Sequence, residues 1–188
     1  MRVLGISGSL RRESLNSALL RTAAERLPAG VELARFERLA EIPPFDEDAE
    51  AAPAPDAVRE LREAIRGADA VLIATPEYSH SLPGQLKNAL DWAARPAGES
   101  ALTGKPAAAI GASKSMFGGV WAQAELRKVM SAMGGRVVET ELAIPHAHDI
   151  LREDSLELEP QRAERLDEIL AELVAAAERI GEPDAVAA

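Results

Sequence analysis

Four serines and two arginines crowd one short stretch of the chain, Ser7-Gly8-Ser9-Leu10-Arg11-Arg12-Glu13-Ser14-Leu15-Asn16-Ser17. Hydroxyls and guanidinium groups bind anions. The stretch follows a short apolar run ending at Ile6, which reads as a strand. It leads into a helical pattern in which Leu15, Ala18, Leu19, Thr22 and Ala23 share a face. The first N–H groups of a helix have no partner within it, and its dipole is positive at that end. A phosphate placed there is held by backbone, hydroxyls and Arg11 together. The expected ligand is a phosphorylated cofactor.

Bulk properties narrow the field. The chain has 188 residues, enough for one full core, and residues 1–180 are expected to form a single domain with a frayed tail at 181–188. A net charge of −10 argues against nucleic acid or an anionic membrane as partner. There is no cysteine, so thiolate nucleophiles, disulfides and iron–sulfur clusters are excluded. Redox chemistry would have to come from a bound cofactor. No apolar run is long enough to span a membrane and no leader pattern opens the chain, so the cytoplasm is the expected compartment.

The elements that must position the loop follow from patterning. Strands are expected at residues 2–7, 31–36, 70–75, 106–111 and 137–142, several as near-continuous apolar runs suited to a sheet covered on both faces. Helices are expected at residues 15–27, 56–66, 84–95, 120–133 and 160–180. In the last, Leu166, Ile169, Leu170, Leu173, Val174, Ala177 and Ile180 form one stripe. Alternating strands and helices imply an α/β fold, and a phosphate loop after the first strand fits a flavodoxin-like three-layer sandwich. Its sheet is parallel, five-stranded and ordered 2-1-3-4-5. Residues 40–55 and 145–160 read as long loops, the first acidic and solvated.

In such sheets ligands lie beyond the carboxyl ends of the strands. Two more loops end there. One is Thr75-Pro76-Glu77-Tyr78-Ser79-His80-Ser81-Leu82-Pro83-Gly84; the other is Gly111-Ala112-Ser113-Lys114-Ser115-Met116-Phe117-Gly118-Gly119. Their Gly, Ser and Pro content suits backbone hydrogen bonding to a flat polar ligand, with Tyr78 offering an aromatic face. His146, His148 and Asp149 alternate on a loop, which is weak evidence for a metal, and no metal is expected. Trp92 and Trp121 read as packing or interface residues.

On these three loops the chain resembles the NAD(P)H-dependent FMN reductase family, flavodoxin-like enzymes that reduce quinones, azo compounds, chromate or free flavin. Gly8-Ser9-Leu10-Arg11-Arg12-Glu13-Ser14-Leu15-Asn16 matches the family's phosphate loop. Thr75-Pro76-Glu77-Tyr78 and the run from Ser81 to Trp92 match its second signature, and Gly118-Gly119 its glycine pair. The resemblance implies that Ser9, Arg11, Ser14, Asn16 and Ser17 hold the FMN phosphate. It implies that Pro76, Glu77 and Tyr78 border the ribityl chain and ring, and that Ser113 through Gly118 and Gly119 close the far side. Ser79 stands where the family has Asn, so ring placement or potential could differ if that side chain touches the flavin. The implied reaction is ping-pong hydride transfer from NADPH or NADH through FMN to a quinone-like acceptor, with no general acid or base. The alternative is a flavodoxin-type electron carrier. The resemblance further implies a homodimer or homotetramer, with the acidic loop near a neighbouring subunit.

Overall fold

A computed structural model describes residues 1–50 and 52–181. Its strands are β1 (Arg2–Ser7), β2 (Glu32–Phe36), β3 (Ala70–Ala74), β4 (Pro106–Ala112), β5 (Arg136–Val137), β6 (Ala143–Ile144), β7 (Leu151–Arg152) and β8 (Ser155–Leu156). Its α-helices are α1 (Leu15–Arg26), α2 (Glu47–Glu50), α3 (Asp56–Gly67), α4 (Gly84–Ala93), α5 (Val120–Ala132) and α6 (Pro160–Gly181). The main sheet is parallel and runs β2-β1-β3-β4-β5, with β6 also on β4. The flavodoxin-like order expected from the sequence is therefore present. Of the tail expected at residues 181–188, Gly181 is the last residue of α6 and the rest lies outside the described residues.

Strand alternation sorts the core into two layers. On β3, Val71 and Ile73 pack toward α3, α4 and α5, whereas Ala70, Leu72 and Ala74 pack toward α1 and α6. On β4, four of the seven residues are alanines, all buried, which lets helices lie close on both faces. The α6 stripe is buried from Leu166 to Ala177, but Ile180, at the helix end, is exposed.

Three expectations change. The fifth strand is not continuous over residues 137–142. Val137 pairs with Ala107 and Ala143 with Gly111, so six residues advance on one strand while four advance on its partner. The excess bulges outward through Glu139, Thr140 and Glu141, whose polar side chains favour solvent. Its return is fixed by the buried Gln123, whose side-chain oxygen accepts from the Leu142 N–H. Residues 145–160 contain the β7–β8 hairpin and are not a bare loop.

The stretch after β2 is anchored at its apolar start, whereas Asp46, Glu47 and Asp48 are exposed as expected. Gln85 Nε2 donates to the Leu39 and Ile42 carbonyls, and Asn88 Nδ2 and Trp92 Nε1 both donate to the Pro43 carbonyl. These three side chains lie on one face of α4, at the three- and four-residue spacing that aligns on a helix. Trp92 is thereby a core residue, buried and edge-on to Phe45 at 5.1 Å.

Candidate active site

Because β1, β3 and β4 run parallel, the loops that follow them emerge at one end of the sheet. The first is set by its own hydroxyls. Ser14 caps α1, its Oγ accepting from the Ser17 N–H at 3.1 Å. The Ser17 hydroxyl donates to Ser7 Oγ at 3.0 Å, and Ser7 Oγ also accepts from the Ser9 N–H. Ser9 Oγ in turn accepts from the Arg11 N–H. The Ser9 O–H remains available to donate outward, and Ser14 Oγ, 3.5 Å from Ser7 Oγ, can donate outward when Ser7 is the donor between them. Ala18 N–H goes to the Ser14 carbonyl. The Leu15 and Asn16 N–H groups, at the very start of α1, have no acceptor among the described residues. The Arg11 guanidinium is exposed and has no acidic partner among them.

Asn16 has a different job from the one expected of its side chain. It is buried, and its amide clamps Ala112 at the end of β4 from both sides: Nδ2 donates to the Ala112 carbonyl at 2.9 Å, and Oδ1 accepts the Ala112 N–H at 3.0 Å. Only its backbone N–H remains for a ligand. The clamp fixes the start of the third loop against the start of α1.

The second loop is a tight hairpin. Tyr78 and Ser81 exchange both backbone hydrogen bonds at 3.1 Å, and the two residues between them, Ser79 and His80, have φ of 53° and 61°. Two consecutive left-handed residues make a type I′ turn, which Asn and Gly favour. Ser79 is exposed at the tip. The family's Asn at this position therefore has a backbone reason, independent of any contact with the ring.

Two carboxylates brace the second loop against α5. Glu77 Oε2 accepts the Trp121 and Ala122 N–H groups at 2.9 and 3.1 Å, capping the helix, while its side chain is only 8% exposed. Glu125 returns the contact, its Oε2 accepting from the Ser81 hydroxyl and the Leu82 N–H. Gly119 precedes α5 in a left-handed conformation, and Gly118 passes so close to β6 that a Cβ would lie 2.8 Å from the Ile144 nitrogen. The glycine pair is thus required by the path of the chain.

Between the loops lies a crevice of about 230 Å³. Of the expected residues, Ser9, Arg11, Ser14, Asn16, Pro76, Glu77, Tyr78 and Ser113 line it. Ser17 sits one layer behind, and Ser79, Gly118 and Gly119 do not line it. Lys114 does, though its only sequence signal is to be the one cation of the third loop. Of the six large apolar side chains exposed among the described residues, five surround this end of the sheet: Leu10, Tyr78, Met116, Phe117 and Trp121. Trp121 packs edge-on against His80 at 4.4 Å and against Phe117 at 4.7 Å. His146 and His148 lie apart, with ring centroids separated by 6.4 Å, and no cluster fit to hold a metal occurs among the described residues.

Comparison with known proteins agrees with this layout. The family model described as NADPH-dependent FMN reductase matches residues 1–149. An NAD(P)H-dependent FMN reductase of Pseudomonas aeruginosa is 49% identical over 130 residues, covering 69% of each chain. A quinone reductase of Escherichia coli is 37% identical over 139 residues, covering 73% of each. Among solved structures, the NAD(P)H:acceptor flavoenzyme FerB of Paracoccus denitrificans superposes with a TM-score of 0.84 at 33% identity, over 95% of this chain and 97% of its own. The chain belongs to the NADPH-dependent FMN reductase family and is an oxidoreductase of that class.

Proposed function

We propose that the crevice holds FMN by its phosphate at the start of α1, and that the protein oxidises NADPH or NADH to reduce a flat acceptor of the quinone type. One observation carries this reading. Two unfilled helix N–H groups, the hydroxyls of Ser9 and Ser14 and the unpaired Arg11 all meet in the crevice walled by Pro76, Glu77, Tyr78 and Ser113. That donor set fits a phosphate monoester, which carries several acceptor oxygens and a charge of about −1.5 to −2 at neutral pH.

Bound there, the flavin supplies the two-electron chemistry, taking a hydride from reduced nicotinamide and returning reducing equivalents to the acceptor. The chain's own task is to bind and orient. The α1 start, Ser9, Ser14 and Arg11 anchor the charged end. The braces from Glu77 and Glu125 hold the second loop against α5, so Tyr78 and the crevice wall would receive the ring without reorganising. Glu77, the covered carboxylate of the crevice wall, is engaged by the start of α5, consistent with a reaction carried by the cofactor.

The exposed rim of Leu10, Tyr78, Met116, Phe117 and Trp121 supports an apolar, planar acceptor over a small oxyanion. The same rim is available to a second copy of the chain, and self-association as a homodimer or homotetramer belongs to this proposal. So does a cytoplasmic location; no described helix is long and apolar enough to cross a membrane.

Steady-state oxidation of NADPH and of NADH by the FMN-loaded protein, against quinone, azo, chromate and free-flavin acceptors, tests the reading. Quinone-dependent oxidation is expected. FMN binding without nicotinamide oxidation under any acceptor would instead make the protein an electron carrier.

A further inference from the structure

We infer that Lys114 is a second cation for the cofactor phosphate, acting across the crevice from Arg11. This rests on the FMN reading above and adds a residue to it.

The placement comes first. The sequence assigns the third loop to the ring end of the ligand, but the crevice divides that loop. Its beginning, Ala112, Ser113 and Lys114, lines the same space as Ser9, Arg11, Ser14 and the first turn of α1, whereas Phe117, Gly118 and Gly119 do not. Residues around Lys114 are pinned. Ala112 is clamped by Asn16, the second residue of α1. The Ser113 N–H donates to the Ile144 carbonyl at 3.0 Å, and the Ser113 carbonyl accepts the Ala147 N–H at 3.0 Å. On the other side, the Ser115 N–H donates to Ser113 Oγ at 3.1 Å. The backbone that carries Lys114 is therefore fixed close to the start of α1, and only its flexible stem is left to place the ammonium group.

Charge is the second argument. In a chain of net charge −10, 11 of the 21 lysines and arginines lie on acids. Lys87 lies on Asp91, Arg26 on Asp167, and Arg38 on both Glu41 and Glu60. Lys114 has no such partner among the described residues, and neither has Arg11 or Arg12 of the facing loop. Arg11 and Lys114 both line the crevice, so two cations without acidic partners face the same space and raise the local potential there. A phosphate monoester brings a charge of about −1.5 to −2, against about +0.5 from a helix start and one unit from Arg11. Those two sum to about +1.5, short of a doubly charged phosphate beside the Glu77 carboxylate of the same wall, and Lys114 adds one further positive unit.

Dissociation constants for FMN and riboflavin, read from quenching of flavin fluorescence, test the inference. The proteins are wild type, Lys114→Ala, Lys114→Arg and, as a surface control, Lys128→Ala, each at low and high salt. Lys114→Ala should weaken FMN about five- to tenfold, between an exposed ion pair and a charged hydrogen bond. It should leave riboflavin unchanged and flatten the salt dependence of FMN binding. Lys114→Arg should restore most of the affinity, and Lys128→Ala should behave as wild type. Unchanged FMN binding by Lys114→Ala, or equal losses for FMN and riboflavin, would overturn the assignment. A wild-type protein that does not prefer FMN to riboflavin would overturn it too, but by removing the FMN reading itself.

Discussion

Glu77 offers a measurable test of how the site is built. Its carboxylate is almost fully covered and accepts two N–H groups at the start of α5, at 2.9 and 3.1 Å. Glu77→Gln keeps the shape and leaves a carbonyl able to accept, but removes the charge. Hydrogen bonds to charged groups contribute about 1.5–3 kcal/mol and neutral ones about 0.5–1.5. A negative group at a helix start adds about 0.3–1 kcal/mol. The amide should therefore cost about 1–3 kcal/mol. For a domain of this size each kcal/mol moves Tm by about 2–4 °C, so a fall of about 2–12 °C is expected. Glu77→Ala should be worse, because both N–H groups lose their acceptor. Thermal and urea unfolding of the ligand-free variants measure this directly. A Gln variant as stable as wild type, or an Ala variant no worse than the Gln, would refute the capping role and return Glu77 to a purely ligand-facing one.

Three further outcomes follow from the loops. Arg11→Ala should weaken FMN by about 1.5–3 kcal/mol and spare riboflavin; fluorescence titration reads the difference, and equal losses would place Arg11 away from the phosphate. Ser79→Asn should raise stability by about 0.5–1 kcal/mol by easing a left-handed turn position, with FMN affinity unchanged; a loss of stability on urea unfolding would contradict the turn assignment. Gly118→Ala should destabilise by about 1–3 kcal/mol, since the new methyl meets the β6 backbone at a positive φ, and tolerance of alanine would show that the loop passes elsewhere.

Strands β1, β3 and β4 are legible in the sequence because each is a short apolar run, too short for a helix, of the kind that a sheet covered on both faces buries. The fifth strand is not, because Glu139, Thr140 and Glu141 interrupt the pattern, and the return is held in register by the Gln123 side chain from α5 together with backbone bonds to β4. The acidic residues 46–48 read as solvated and are exposed, but the anchoring of the apolar residues before them is not evident locally. What anchors those residues is Gln85, Asn88 and Trp92 on α4, and their spacing on one helix face is the available signal. The phosphate loop is readable because hydroxyls, arginine and helix start are consecutive. The capping role of Glu77 is not, because its partners lie 44 and 45 residues away. Asn16 likewise spends its side chain on Ala112, 96 residues on, a contact that local sequence does not encode. Ser79 stands out as a departure from the family, but the reason lies in its φ, which side-chain chemistry alone does not reveal.

The central claim is tested most directly by anaerobic mixing of the FMN-loaded protein with NADPH or NADH, followed by a quinone, while the oxidised-flavin absorbance is watched. The band should bleach on adding the nicotinamide and return on adding the quinone, with no stable one-electron species between. A band that persists in the presence of both nicotinamides would contradict the account.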